Sequence, residues 1–154
     1  MKTTQVGPAL GALDDLIHQE ALRFIHASRE RLQKAAERVS VRAELERGGE
    51  HEPVPAELIA LRLSDEVYRA FRAYMTWQVG EAQWMGFSNP QIAAALRLAS
   101  PSNVRTKYET SAVRAALNAS GVSDGVAPVQ VGDFVFRFPL LERFDRNETA
   151  DEDR

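Results

Sequence analysis

The 154-residue sequence contains no cysteine, and this absence excludes a disulfide framework, a thiolate zinc site and a cysteine nucleophile. It also contains no apolar run close to the roughly 18 to 20 residues that a membrane-spanning helix needs. The N-terminal residues Met1–Pro8 lack the apolar stretch of a secretion signal. We therefore expect a cytoplasmic protein with no membrane partner, of a length that suits one domain with its own apolar core.

Few residues could support catalysis or hold a metal ion. Asp14 and His18 lie four residues apart on a predicted helix, but no third ligand is spaced with them. The sequence has no glycine-rich phosphate-binding loop, and no serine or threonine shares a known catalytic motif with a histidine. The sequence thus predicts no catalytic residue, no metal and no cofactor, and we expect that the protein is not an enzyme.

The net charge of the chain is −3, whereas nucleic-acid-binding domains are usually basic. This charge is unevenly distributed. Residues 101–119 carry three basic residues and one acidic residue, whereas residues 142–154 carry three basic and six acidic residues. Because the C-terminal segment accounts for the negative sign, the overall charge is compatible with a local basic surface.

The N-terminal third of the sequence predicts one long helix over Leu13–Leu45, which contains neither proline nor glycine. Gly48–Gly49 is expected to end it. Apolar and small residues three or four apart form a single stripe, comprising Leu13, Ile17, Ala21, Phe24, Ser28, Leu32, Ala35 and Val39. A helix of some thirty residues is longer than a small domain needs, so the stripe favours pairing with a second copy of the chain. The alternative is an ordinary helix packed across its own domain.

A core helix is predicted after a polar, proline-containing connector over residues 50–55. Ser64, which is followed by two acidic residues, is a favourable N-cap, and Gly86 is expected to end the helix. Trp77 and Trp84 fall on a flank of its apolar face. The aromatic residues of this helix therefore indicate core packing and not a cofactor site.

Two shorter helices are predicted next. Ser88 and Gln91 have the spacing of a capping box, which indicates a short helix that begins after Ser88. Ser100 and Pro101 are typical of the start of a further helix, which we expect to run to Ala119.

After Gly125 the pattern becomes strand-like. Residues 126–131 and 134–138 flank Gly132–Asp133, which is typical of a β-hairpin turn. The charged segment from residue 140 onward predicts a disordered acidic tail.

A short helix, a tight turn, a second helix and a hairpin follow one another in the order of a winged helix-turn-helix. In that arrangement one face of the second helix packs on the first, and the other face enters the major groove. With Val104 and Tyr108 inward, the exposed side chains can contact bases and phosphates. The predicted DNA-binding residues are Ser100, Ser102, Asn103, Arg105, Thr106, Lys107 and, on the wing, Arg137. The alternative is a simple helical hairpin that binds no DNA.

The segment Ile92–Val104 resembles the corresponding segment of winged helix-turn-helix repressors of the LexA type. Those repressors have Ile-Ala, a Leu-Gly three residues later, and Ser-Pro at the start of the recognition helix. The lead-in Val79–Ser88 resembles that of helix-turn-helix proteins from high-GC bacteria. The resemblance covers roughly residues 79–110 and implies DNA binding by a winged domain. It departs at Arg97, which replaces the glycine and would be strained at a positive φ, and we expect no counterpart of the LexA-type self-cleavage domain.

These patterns predict a mainly α fold, with a long N-terminal helix plus a winged helix-turn-helix that has a C-terminal β-hairpin. We expect a dimerisation helix in residues 1–50, a DNA-binding domain in residues 51–139 and the tail in residues 140–154. The expected function is sequence-specific binding of double-stranded DNA by a homodimer, most simply as a bacterial transcriptional regulator. Two alternatives remain: a protein-interaction adaptor that uses the winged domain, and a DNA-binding assembly factor of a phage or plasmid.

Overall fold

The computed structural model describes residues 6–49, 52, 54–121, 128–137 and 140–143, and the side chains of 8–49, 52, 54–121 and 128–136. The chain is mainly helical, as predicted, with a small antiparallel sheet near its C-terminal end. The helices are α1 (Val6–Gly11), α2 (Asp14–Glu46), α3 (Ala56–Trp84), α4 (Asn89–Ala95), α5 (Ser102–Lys107) and α6 (Ser111–Ser120). The strands are β1 (Val129–Val131), β2 (Phe134–Arg137) and β3 (Leu140–Arg143). None of the described helices has the length and apolar character to cross a membrane.

The chain divides into two compact units, one of residues 10–69 and the other of residues 70–154 together with residues 1–9. The sequence placed its first division at residue 50, where a glycine pair and a polar connector follow the long helix. The boundary between the two compact units of the structure lies within α3, a helix that begins soon after this connector.

The long helix predicted over Leu13–Leu45 is confirmed as α2. Asp14 and Asp15 lie in its first turn, where carboxylates interact favourably with the helix dipole. After its end, Gly48 and Gly49 both adopt positive φ, at 65° and 75°. The helix therefore ends where predicted, because the chain adopts a left-handed backbone conformation that glycine tolerates.

The apolar stripe of α2 is buried over only part of its length. Leu32 and Ala35 are half-buried, and the neighbouring Ala36 is fully buried. At the N-terminal end Ile17 and Phe24 leave 52% and 66% of their surface exposed. In the described residues the stripe is thus covered in its middle and open at its N-terminal part.

The start predicted for the core helix at Ser64 is wrong, because α3 begins eight residues earlier, at Ala56. Residues 56–63 are mostly strong helix formers, and the carbonyl oxygen of Pro55 accepts hydrogen bonds from the N–H groups of Leu58 and Ile59. Ser64 is an interior residue whose hydroxyl donates to the Ala60 carbonyl at 2.8 Å. The acidic residues that follow it form ion pairs along the helix with Arg62 and Arg69.

Trp77 lies at the centre of the second unit's core and not on a flank. It is 2% exposed and stacks on Phe136 of β2, with 4.5 Å between the ring centroids. Val113 and Leu117 of α6 complete this cluster together with β1. The sheet therefore packs on α3 and α6 through aromatic and branched side chains.

The predicted hairpin is confirmed, and it extends into a third strand. β1 pairs antiparallel with β2 around Gly132–Asp133, and Gly132 has the positive φ of 59° that a two-residue turn favours. β2 pairs in turn with β3. The tail predicted to be disordered from residue 140 therefore begins with a strand, because Leu140–Arg143 continue the ladder. Residues 144–154 lie outside the described residues.

Candidate nucleic-acid interface

The candidate site is built on a small apolar cluster that joins three helices. Val79 of α3, Ile92 and Ala93 of α4, and Val104 of α5 are all buried in it. The predicted cap of α4 is confirmed, because Gln91 accepts hydrogen bonds from the backbone N–H and the hydroxyl of Ser88, both at 2.9 Å. The apolar cluster thus packs α5 against α4, and the cap fixes the start of α4.

The turn between α4 and α5 has the conformation in which a glycine is usually preferred. The N–H of Leu98 donates to the Ala93 carbonyl at 2.9 Å and the N–H of Arg97 to that of Ala94 at 3.3 Å, as in a Schellman motif. Arg97 has φ of 51°, the one positive φ among the described non-glycine residues. The backbone of Arg97 is therefore strained, as the sequence predicted for a positive φ at this position.

One face of α5 is anchored and the opposite face is exposed. Val104 is fully buried, whereas Ser102 and Thr106 are exposed on the opposite face and Arg105 is exposed beside them. Lys107 is also exposed, and Asn103 is half-buried on a flank. The structure thus brings the predicted base-contacting side chains together on one short helix.

The predicted start of this helix is displaced. Its first residue is Ser102 and its N-cap is Pro101, so Ser100 precedes the cap. The Ser100 carbonyl accepts the N–H of Asn103 at 3.1 Å, and its hydroxyl lies 2.7 Å from that of Ser102. Ser100 therefore contributes its backbone to the first turn instead of a side-chain cap.

The single helix predicted from Pro101 to Ala119 is wrong, because the chain leaves the helical conformation at Tyr108 and resumes it at Ser111. Tyr108 is extended, with φ of −129° and ψ of 108°. Glu109 then caps α6, as its carboxylate accepts the N–H and the hydroxyl of Ser111. These bonds hold the pKa of Glu109 below its usual value.

The wing residue predicted to contact DNA, Arg137, is the last residue of β2. It pairs with Leu140 of β3, at the end of β2 away from the β1–β2 turn, and its side chain lies outside the described residues.

A polar network that the sequence did not indicate lies beside α5. The hydroxyl of Thr110, a residue 8% exposed, donates to Gln83 at 2.6 Å. The amide nitrogen of Gln83 donates in turn to the side-chain oxygen of Asn89 at 2.9 Å. The network joins the end of α3 to the starts of α4 and α6. It forms part of a groove of about 400 Å³, lined also by Phe87, Arg105, Tyr108, Glu109, Ser111 and Arg114.

The segment that carries these helices is basic although the whole chain is acidic. Residues 70–121 contain five basic and two acidic residues, a net charge of +3. The two acidic residues are Glu81 and the capping Glu109. No cluster of three or more possible metal ligands occurs among the described residues.

Neither protein-family models, nor the curated proteins, nor the solved structures give a match to this chain. The function must therefore be inferred from the geometry and charge of the chain itself.

Proposed function

We propose that this protein binds double-stranded DNA in a sequence-specific manner through a winged helix-turn-helix, with α4 and α5 as the two helices and the sheet as the wing. The observation that carries the proposal is the exposed face of α5. Ser102, Arg105 and Thr106 share this face, while Val104 anchors the opposite side in the core. Such a helix can enter a major groove without any loss of packing.

The chemistry of this face matches that of base edges and phosphates. Arg105 on this face can form paired hydrogen bonds with guanine, and Asn103, half-buried on a flank of α5, can do so with adenine. Lys107, on a flank of the helix, suits a phosphate contact, and Arg137 on β2 is the proposed wing contact. The net charge of +3 over residues 70–121 supports electrostatic attraction to DNA despite the acidic chain. The simplest biological role is that of a transcriptional regulator in a bacterial cytoplasm, without a cofactor or an enzymatic activity.

The test is binding to a duplex selected from random oligonucleotides by the full-length protein. Arg105→Ala should weaken specific binding about ten- to a hundred-fold and relax the preference at one base pair. Lys107→Ala and Arg137→Ala should instead weaken all duplexes alike and lower the salt slope by about one each. If Arg105→Ala binds the selected duplex as tightly as the parent, α5 does not contact bases as proposed.

A homodimer would place two such helices on one DNA site. The open N-terminal part of the α2 stripe, with Leu13, Ile17 and Phe24 all exposed, supports pairing with a second copy. Dimeric helix-turn-helix proteins bind half-sites about one helical turn apart. The selected DNA is therefore expected to contain an inverted repeat.

The exposed apolar surface also favours a second candidate, a protein-interaction adaptor. Besides the α2 stripe, Met85 and Phe87 leave 62% and 47% of their surface exposed in the second unit. An adaptor would bind no duplex even at low ionic strength. DNA binding that falls steeply with salt would exclude this candidate as the main function, since phosphate contacts release counterions.

A further inference from the structure

The groove beside α5 contains a cation that the proposed DNA-binding set does not include. Arg114 lies on α6 but lines the same groove as Arg105 of α5. Both guanidinium groups are exposed, and neither forms an ion pair within the part of the chain that the structure describes. The break between α5 and α6 is what gives these two arginines a common groove, because the chain turns at Tyr108–Thr110 before α6 begins.

Two amide oxygens in this groove are occupied, whereas several donors are available. The Gln83 side-chain oxygen accepts from Thr110, and that of Asn89 accepts from Gln83. Asn89 therefore keeps its NH2 group as a donor beside the two guanidinium groups. A groove that offers guanidinium and amide donors suits an anion with several oxygens.

We propose that this groove binds one backbone phosphate of the DNA duplex, with Arg114 as its cationic contact and Asn89 as a neutral donor. The inference rests on the proposed function, since it assigns a phosphate beside the bases that α5 contacts. A DNA backbone is favoured over a small free anion because the groove is open and adjoins the exposed face of α5. Arg114 then fixes the position of α5 on the duplex and contributes no base preference.

Glu109 is the one acidic residue that lines the groove, and its charge is expected to affect the binding of a phosphate there. Its carboxylate is engaged by Ser111 but keeps its negative charge at neutral pH, because the same bonds lower its pKa. That charge opposes a bound phosphate. Glu109→Gln keeps an oxygen that can cap α6 and removes the charge, so this variant should bind DNA more tightly than the parent.

The experiment compares four full-length proteins: the parent, Arg114→Ala, Arg114→Lys, and the control Arg72→Ala. Arg72 is an exposed arginine of the same unit that does not line the groove. Binding to the selected duplex and to an unrelated duplex is measured by fluorescence anisotropy across a salt series. Arg114→Ala should weaken both duplexes roughly ten-fold and lower the salt slope by about one. Arg114→Lys should retain the salt slope, and Arg72→Ala should behave as the parent.

A duplex with single neutral methylphosphonate linkages then locates the phosphate. One linkage should weaken the parent but leave Arg114→Ala unaffected. If the parent binds DNA and Arg114→Ala resembles Arg72→Ala in affinity and salt slope, the groove proposal is wrong while the proposed function stands. If the parent binds no duplex at low salt, both are wrong. Equal thermal unfolding of the four proteins shows that any loss of affinity is not a loss of fold.

Discussion

Arg97 is the residue at which sequence and backbone conflict most directly. It occupies the left-handed position after α4, with φ of 51°, where a side chain costs about 1 kcal/mol or more. Arg97→Gly should therefore raise the free energy of unfolding by about 0.5 to 1 kcal/mol, after the greater flexibility of glycine in the unfolded chain is included. Urea unfolding measures this change. Arg97→Ala is the matched control, because it removes the side chain but keeps the strained backbone, and equal stabilities for the two variants would contradict the strain argument.

Glu109 gives a pH dependence whose sign follows from its lowered pKa. A carboxyl with a lower pKa in the folded state stabilises the fold above its unfolded pKa and loses this contribution as the pH falls through the folded pKa. The contribution is small because the group is exposed. Parent protein should thus be more stable than Glu109→Gln at pH 7, and the difference should shrink as the pH falls through the lowered pKa of the Glu109 carboxyl. A difference that is constant from pH 7 to pH 3 would show that the cap does not depend on the charge.

At the scale of elements, helix ends and turns were predictable where the backbone requires a glycine, and one helix start was predictable from the paired side chains of its capping box. Gly48–Gly49 and Gly132 all adopt positive φ, and the predicted ends and turn at these positions are confirmed. Ser64 is a residue type that is common at N-caps, but it lies inside α3. There its hydroxyl donates to the carbonyl four residues earlier, so a serine alone does not indicate a helix start.

The interruption between α5 and α6 could not be predicted from composition, since residues 101–119 contain no glycine and only the initial proline. The phase of the apolar residues did contain a signal. A continuous helix would bury Ala112 and Ala115 in line with Val104, but the buried residues are Val113 and Leu117. These larger side chains face the core only if the break changes the direction in which the second helix presents its residues. Their burial therefore favours the break.

A close approach of α3 and α6 holds this part of the fold together and depends on Gly80. A methyl group at Gly80 would lie 2.7 Å from Cγ1 and 2.9 Å from Cβ of Val113. Gly80→Ala should therefore lower the free energy of unfolding by about 1 to 3 kcal/mol, because the two helices must separate. Gly11→Ala is the control, since nothing lies within 4 Å of the added carbon there, and it should not destabilise the protein.

Combining Gly80→Ala with Val113→Ala separates this contact from a general loss of helix stability. The second substitution removes the Cγ1 atom, so the double variant should be more stable than the sum of the two single changes predicts. Additive losses would mean that the contact at Gly80 is relieved elsewhere.

At the scale of the whole molecule, the sequence predicted the elements of the chain better than the contacts between them. The mainly α composition, the long α2 and the hairpin are confirmed because each has a strong local pattern. The boundary within α3 and the central position of Trp77 depend on tertiary contacts between elements, and a single sequence contains no direct signal for such contacts. For the same reason Arg105 and Lys107 could be predicted on one helix, whereas the groove that joins Arg105 with Arg114 could not.

The assembly of the molecule remains a prediction that rests on α2. Five large apolar residues in the N-terminal part of α2 are at least 46% exposed, and stable interfaces bury roughly 800 Å² on each partner. Ile17→Ser combined with Phe24→Ser removes two of these side chains, both more than half exposed, so the fold should survive while a dimer should not. Light scattering should give twice the 17.2 kDa chain mass for the parent and the chain mass for the double variant. Met85→Ser, at an exposed position of the second unit, is the matched control and should remain dimeric. If the double variant keeps the parent's mass, this surface is not the dimer contact, whereas a monomeric parent would show that the exposed stripe faces a different partner.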